Sequence, residues 1–134
     1  MRRTALLGLT LALGLACGGC ATFKAHYDPH TPAGQAAIAN DTIFAVETGA
    51  HAATDFGVNA LSGDELAVID QWAANARGDL AGSTTPLRTL YADVESLLAS
   101  LPQTSRIAPY VKWAEPYLEA YLLQLAPPGT TIAK

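Results

Sequence analysis

Residues 85–102 read TPLRTLYADVESLLASLP. Leu87, Leu90, Tyr91, Val94, Leu97, Leu98 and Leu101 recur at spacings of three, one and three, which is the period of an amphipathic helix. Arg88, Asp93 and Glu95 fall outside the stripe. Thr85 offers a capping hydroxyl. Pro86 suits the first helical position because its missing N–H would have no partner there, and Pro102 marks the stop.

A preceding helix is expected to start at Ser62, with Glu65 three residues on completing a capping box. Leu66, Ile69, Trp72, Ala73, Ala76 and Leu80 form its apolar stripe, and Gly82, or Gly78 one turn earlier, ends it. A last helix is expected over 106–126, with Ile107, Tyr110, Val111, Ala114, Tyr117, Leu118, Tyr121, Leu122 and Leu125 inward and Lys112, Glu115 and Glu119 on the wet side. Pro109 fits a first turn, whereas Pro116 deletes a hydrogen bond inside the helix and predicts a kink or two short helices in series. The first helix, from Ala33 to about Gly57, is interrupted by Gly34, Gly49 and Gly57, each costing up to about 1 kcal/mol relative to alanine. Ala36, Ala39, Ile43, Val46, Ala50 and Ala53 still keep helical spacing. No alternating run suggests a sheet. The expected fold is all-α: a small antiparallel bundle of about four helices over 33–134.

The head of the chain carries a different message. Arg2 and Arg3 precede an apolar run from Ala5 to Ala16, which ends in Ala16-Cys17-Gly18-Gly19-Cys20. A charged start, an apolar stretch of about a dozen residues and small residues after it make a secretory signal over 1–19. The run is short of the roughly 20 residues a membrane-spanning helix needs. A cysteine directly after small residues resembles the lipobox of bacterial lipoproteins, in which the thiol receives a diacylglycerol before cleavage makes it the first residue. The third position before the cysteine, usually aliphatic in that family, is Cys17 or Gly14 according to which cysteine is used. Cys20 is favoured over Cys17, because cleavage there removes Cys17 and leaves no stray thiol in an oxidising compartment. The resemblance implies an outer-membrane, periplasm-facing lipid anchor, since Ala21 stands where a retention signal would place aspartate. The alternative is ordinary secretion with a Cys17–Cys20 bridge. Residues 20–32, with Pro29 and Pro32, are expected to form a flexible tether behind the lipidated cysteine.

Composition excludes some functions. The 134-residue chain has 8 Lys and Arg against 12 Asp and Glu, so no basic stripe is available for nucleic acid. No HExxH, phosphate-binding loop, GxSxG or zinc-spaced cysteine pair occurs. The nearest metal-ligand pattern is His26, Asp28 and His30, a weak candidate set within the tether, and no cofactor is implied. His51 with Asp55 four residues on could form a base and its orienting carboxylate, but no nucleophile can be placed beside it. Of the aromatic residues Tyr110, Trp113, Tyr117 and Tyr121, the tyrosines lie on the inward stripe and Trp113 beside it, which makes Trp113 the partner-binding candidate. The reading is a non-enzymatic, lipid-anchored periplasmic helical module that binds or recruits another envelope component. In size and layout it is similar to small helical lipoproteins that chaperone outer-membrane assembly, such as secretin pilotins. The alternatives are a binder of a small apolar ligand or lipid, and a cell-wall-acting enzyme.

Overall fold

A computed structural model describes residues 24–129. The described chain is helical throughout its regular structure: α1 (Pro32–Asp55), α2 (Gly63–Leu80), α3 (Pro86–Ser100), α4 (Ala108–Lys112) and α5 (Ala114–Leu125). The stripe of 85–102 is the centre of the molecule. Leu87, Leu90 and Val94 are fully buried, and α3 packs against all four other helices. Leu97, Leu98 and Leu101 pack against the core from its outer end. Thr85 stands at the N-cap, but its hydroxyl makes no capping bond; the turn is held instead by Ser83, whose Oγ accepts the Thr85 N–H at 3.2 Å and lies 2.8 Å from Thr89 Oγ1.

The flanking helices follow from local chemistry. Ser62 and Glu65 form the full capping box of α2, and Gly82 follows its end at φ +81°, a conformation that costs glycine nothing. Of the expected α2 stripe, Ile69, Trp72, Ala73, Ala76 and Leu80 are buried and Leu66 is half-buried. α1 starts with Pro32 in its first turn and Thr31 as N-cap, the Thr31 hydroxyl oxygen accepting the Gly34 N–H at 3.0 Å. Its buried face holds Ala39, Ile43, Val46 and Ala50, together with Ile38 and Thr42; the Thr42 hydroxyl donates to the Ile38 carbonyl at 2.7 Å and so needs no outside partner.

The last helix is two. The chain breaks at Trp113, so that Pro116 falls within the first turn of α5, where a missing N–H costs no hydrogen bond. Continuing α4 through 113 would drive the proline ring into the Lys112 carbonyl four residues back. Cross-helix pairs show the winding: Glu47 meets Arg77 while His51 meets Asp70, so α1 and α2 run antiparallel. Trp72 Nε1–H donates to the Asp93 carbonyl at 3.3 Å between α2 and α3, and Tyr91 Oη–H donates to Glu119 at 2.8 Å between α3 and α5. Burial, with the acceptor carboxylate of Glu119 beside it, holds the Tyr91 phenol well above its ordinary range.

At the N-terminal side, residues 27–31 are seated on α1, so the tether is shorter than its composition predicts. Thr31 N–H donates to the Asp28 carbonyl at 3.1 Å, Gln35 Nε2 to the Pro29 carbonyl at 3.0 Å, and the Tyr27 hydroxyl to Asp41. The close approach needs glycine at 34: a Cβ there would lie 1.9 Å from the Asp28 carbonyl oxygen. Gly34→Ala is therefore expected to lift residues 27–31 from α1 while the bundle stays folded. Hydrogen exchange at the amides of Thr31 and position 34 checks this; unchanged protection would mean that the backbone absorbs the methyl group.

Candidate functional site

α5 presents its inward face to the core through Ala114, Leu118 and Leu122. At 100° per residue, the positions on its outer flank are Trp113, Tyr117, Ala120 and Gln124, with Tyr121 at the edge. None of the five is charged. Trp113 is 41% exposed and Tyr117 42%. Their rings meet edge to face, centroids 5.8 Å apart, and Tyr117 meets Tyr121 in the same way at 5.2 Å, so the three rings form one continuous aromatic row. Tyr117 thus departs from the inward place its spacing predicts. The buried positions Val111, Ala114, Leu118 and Leu122 keep one helical stripe across the break, and Leu118 takes the fully buried position beside Tyr117. The Tyr117 phenol is pushed up to about 12, by burial first and then by Tyr121, with the Asp41 carboxylate adding negative charge nearby.

The first described residues meet the C-terminal part of α5 beside this row. Lys24, Ala25, Tyr27 and Asp28 form a cleft with Gln124, the last polar position of the α5 flank. The described N-terminal residues therefore emerge next to the aromatic row.

A second concave feature lies between α2 and α3, a groove of about 600 Å³. Trp72 and Leu97 supply apolar lining, Gln71 and Asn75 amides, and Asp64, Asp79 and Asp93 carboxylates. Asp93 Oδ2 is buried without a hydrogen-bond partner among the described residues. Burial, and then the neighbouring Asp79, raise the Asp93 carboxyl above the usual range. Helical spacing puts Asp93 outside the stripe, which is correct for its own helix but silent about α2 packing over it. A group whose folded value is raised contributes stability in its protonated state, and that contribution is lost as pH rises through the folded value. Asp93→Asn is thus expected to raise the melting temperature at neutral pH, the gain shrinking as pH falls toward the ordinary aspartate value near 3.9. A variant less stable than wild type at neutral pH would mean that the carboxylate is held by a favourable contact.

His51 is not oriented by Asp55. Its Nε2 lies 2.8 Å from Asp70 Oδ1 on α2, with both side chains 45% exposed, and the Asp70 hydrogen bond raises the imidazole value. Asp55, one turn on, contributes only a weaker field. The Thr54 hydroxyl, close in sequence, is committed to Ala50 and Leu61 backbone groups. His26, Asp28 and His30 do not converge: His26 packs edge-on against Tyr27, Asp28 Oδ1 accepts the His30 N–H at 3.0 Å, and among the described residues no group of three such side chains could hold a metal ion. Cys17 and Cys20 lie outside the described residues. Against known protein families, curated proteins and solved structures, the chain finds no match.

Proposed function

We propose that the protein is a lipid-anchored, non-enzymatic module of the cell envelope, held at the periplasmic face of the outer membrane through Cys20 and engaging another envelope component through the outer flank of α5. The observation that supports it is the uncharged aromatic row Trp113, Tyr117 and Tyr121, part-exposed beside the N-terminal segment that leads from the anchor. Tryptophan and tyrosine combine large rigid apolar area with a polar atom, which suits surfaces that exchange water for another body.

A wholly apolar ligand is served less well. The α2/α3 groove would set Asp64, Asp79 and Asp93 against it with their charges uncompensated. The test of the recruiting surface is a photo-crosslinking side chain placed at the exposed Ala120 in the intact envelope. An adduct is expected there and not from the same group at exposed Arg88 on α3. Equal labelling from both positions would remove the assignment of the α5 flank.

A further inference from the structure

We infer that the component met by the α5 flank is the lipid bilayer itself, the aromatic row lying along the headgroup region of the membrane that receives the acyl chains of Cys20. This rests on the anchored reading above.

The first support is chemical. The row needs an occupant that accepts ring faces and a few phenol and indole hydrogens and makes no demand for charge pairing: Trp113, Tyr117, Ala120, Tyr121 and Gln124 are uncharged, and the neighbouring Asp41 carboxylate accepts the Tyr27 hydroxyl. A protein partner is ordinarily steered and held in register by charged pairs around its apolar contacts. The water–lipid boundary requires no register, and Trp and Tyr concentrate there because one part of each ring system is apolar and the other wet. The Glu119 carboxylate of α5 is kept off this flank: it accepts the Tyr91 hydroxyl on the side facing α3.

The second support is reach. From Cys20 to Lys24 there are four Cα steps, at most about 14 Å when extended. Lys24 and Ala25 share a cleft with Gln124 at the C-terminal end of the row. From Gln124 the row runs back to Trp113 over roughly 16 Å at the helical rise. An acylated Cys20 therefore holds the end of the row close to the membrane, where the remainder can lie down on it. Lys24, exposed at that end, places a cation near phospholipid phosphates. The depth expected is that of an interfacial element, about 5 to 10 Å into the boundary of headgroups and acyl chains.

The experiment uses the mature chain from Cys20, which contains every helix described above, coupled through the Cys20 thiol to a maleimide lipid in vesicles of phosphatidylethanolamine and phosphatidylglycerol. Vesicles carrying acyl-brominated phospholipid report contact through loss of tryptophan emission. Trp72 is only 8% exposed, and Trp113→Phe identifies its share of the signal. The tethered wild type should show a blue shift and loss of emission, Trp113→Phe should show neither, and Ala120→Glu, a charge placed in the row at an exposed position, should reverse the loss while leaving the melting temperature unchanged. Unquenched Trp113 on vesicles that float with the protein overturns bilayer docking, and a protein adduct from Ala120 in the intact envelope would then name the other class of occupant. An unacylated Cys20 in the native protein is a separate result: it overturns the anchor, whatever the vesicles show.

Discussion

Leu90→Ala is expected to cost about 2 to 5 kcal/mol of folding stability, with Leu87→Ala in the same range. Both side chains are completely buried in the helix that packs against α1, α2, α4 and α5. Truncation removes apolar area and leaves a cavity whose walls belong to several elements at once, so relaxation by any single helix closes little of it. A small domain has only about 5 to 15 kcal/mol of total stability, so one such change consumes a large share. Arg88→Ala, exposed on the same helix, should stay within about 0.5 kcal/mol of wild type. Denaturant unfolding of the three variants decides the matter: equal midpoints would mean that the buried face of α3 is assigned to the wrong residues.

That face is legible in the amino-acid sequence because a period of 3.6 leaves a strong pattern when large aliphatic side chains mark it. The α2 stripe and its capping box are legible too, since Ser62 and Glu65 act within one turn and need no tertiary neighbour. α1 is harder. Alanine marks its face weakly, and the spacing misses Ile38 and Thr42, which α1 buries almost as fully as Ile43. The break in the last helix is readable as a consequence of Pro116 but not in position, because the clash falls on a carbonyl four residues earlier and the interruption settles at Trp113.

Side-chain partners across helices lie beyond the reach of spacing. His51 has Asp55 at helical distance, yet it meets Asp70, nineteen residues away, because α1 and α2 are antiparallel and the register of that pairing sets opposite residues together. Asp93 reads as solvated because its own helix puts it off the stripe; α2 covers it. Glu65 shows how much one residue can do that spacing half reveals. Besides the cap, it takes Arg106 at 2.8 Å from the connection into α4, and with these partners its carboxyl falls to about 2. The aromatic row is the intermediate case: Trp113 stands off the inward stripe by its spacing, and Tyr117 lies with it because the buried positions Val111, Ala114, Leu118 and Leu122 form a stripe too narrow to include it.

Cys20→Ser should move the protein from the membrane fraction to the soluble fraction, or leave a precursor from which residues 1–19 are not removed. Among the described residues no helix is long and apolar enough to cross a membrane. In the proposed arrangement attachment then has two sources, the acyl chains and the α5 flank. Each buried methylene contributes about 0.8 kcal/mol, and one acyl chain alone binds reversibly, so the two or three chains of a mature lipoprotein account for firm attachment. The aromatic row immerses only a few rings and should give weak association by itself, of which only the part owed to Lys24 is screened by salt. Cys20→Ser is thus expected to be nearly as severe as combining it with Ala120→Glu, whereas Ala120→Glu alone should leave the acylated protein in the membrane fraction. Cys17→Ser should matter little, because in the proposed processing cleavage before Cys20 discards that residue. Fractionation with intact-mass measurement separates the cases: an acyl group found on Cys17 would move the cleavage point three residues back, lengthen the link to Lys24 by about 10 Å, and leave the aromatic row on a looser leash.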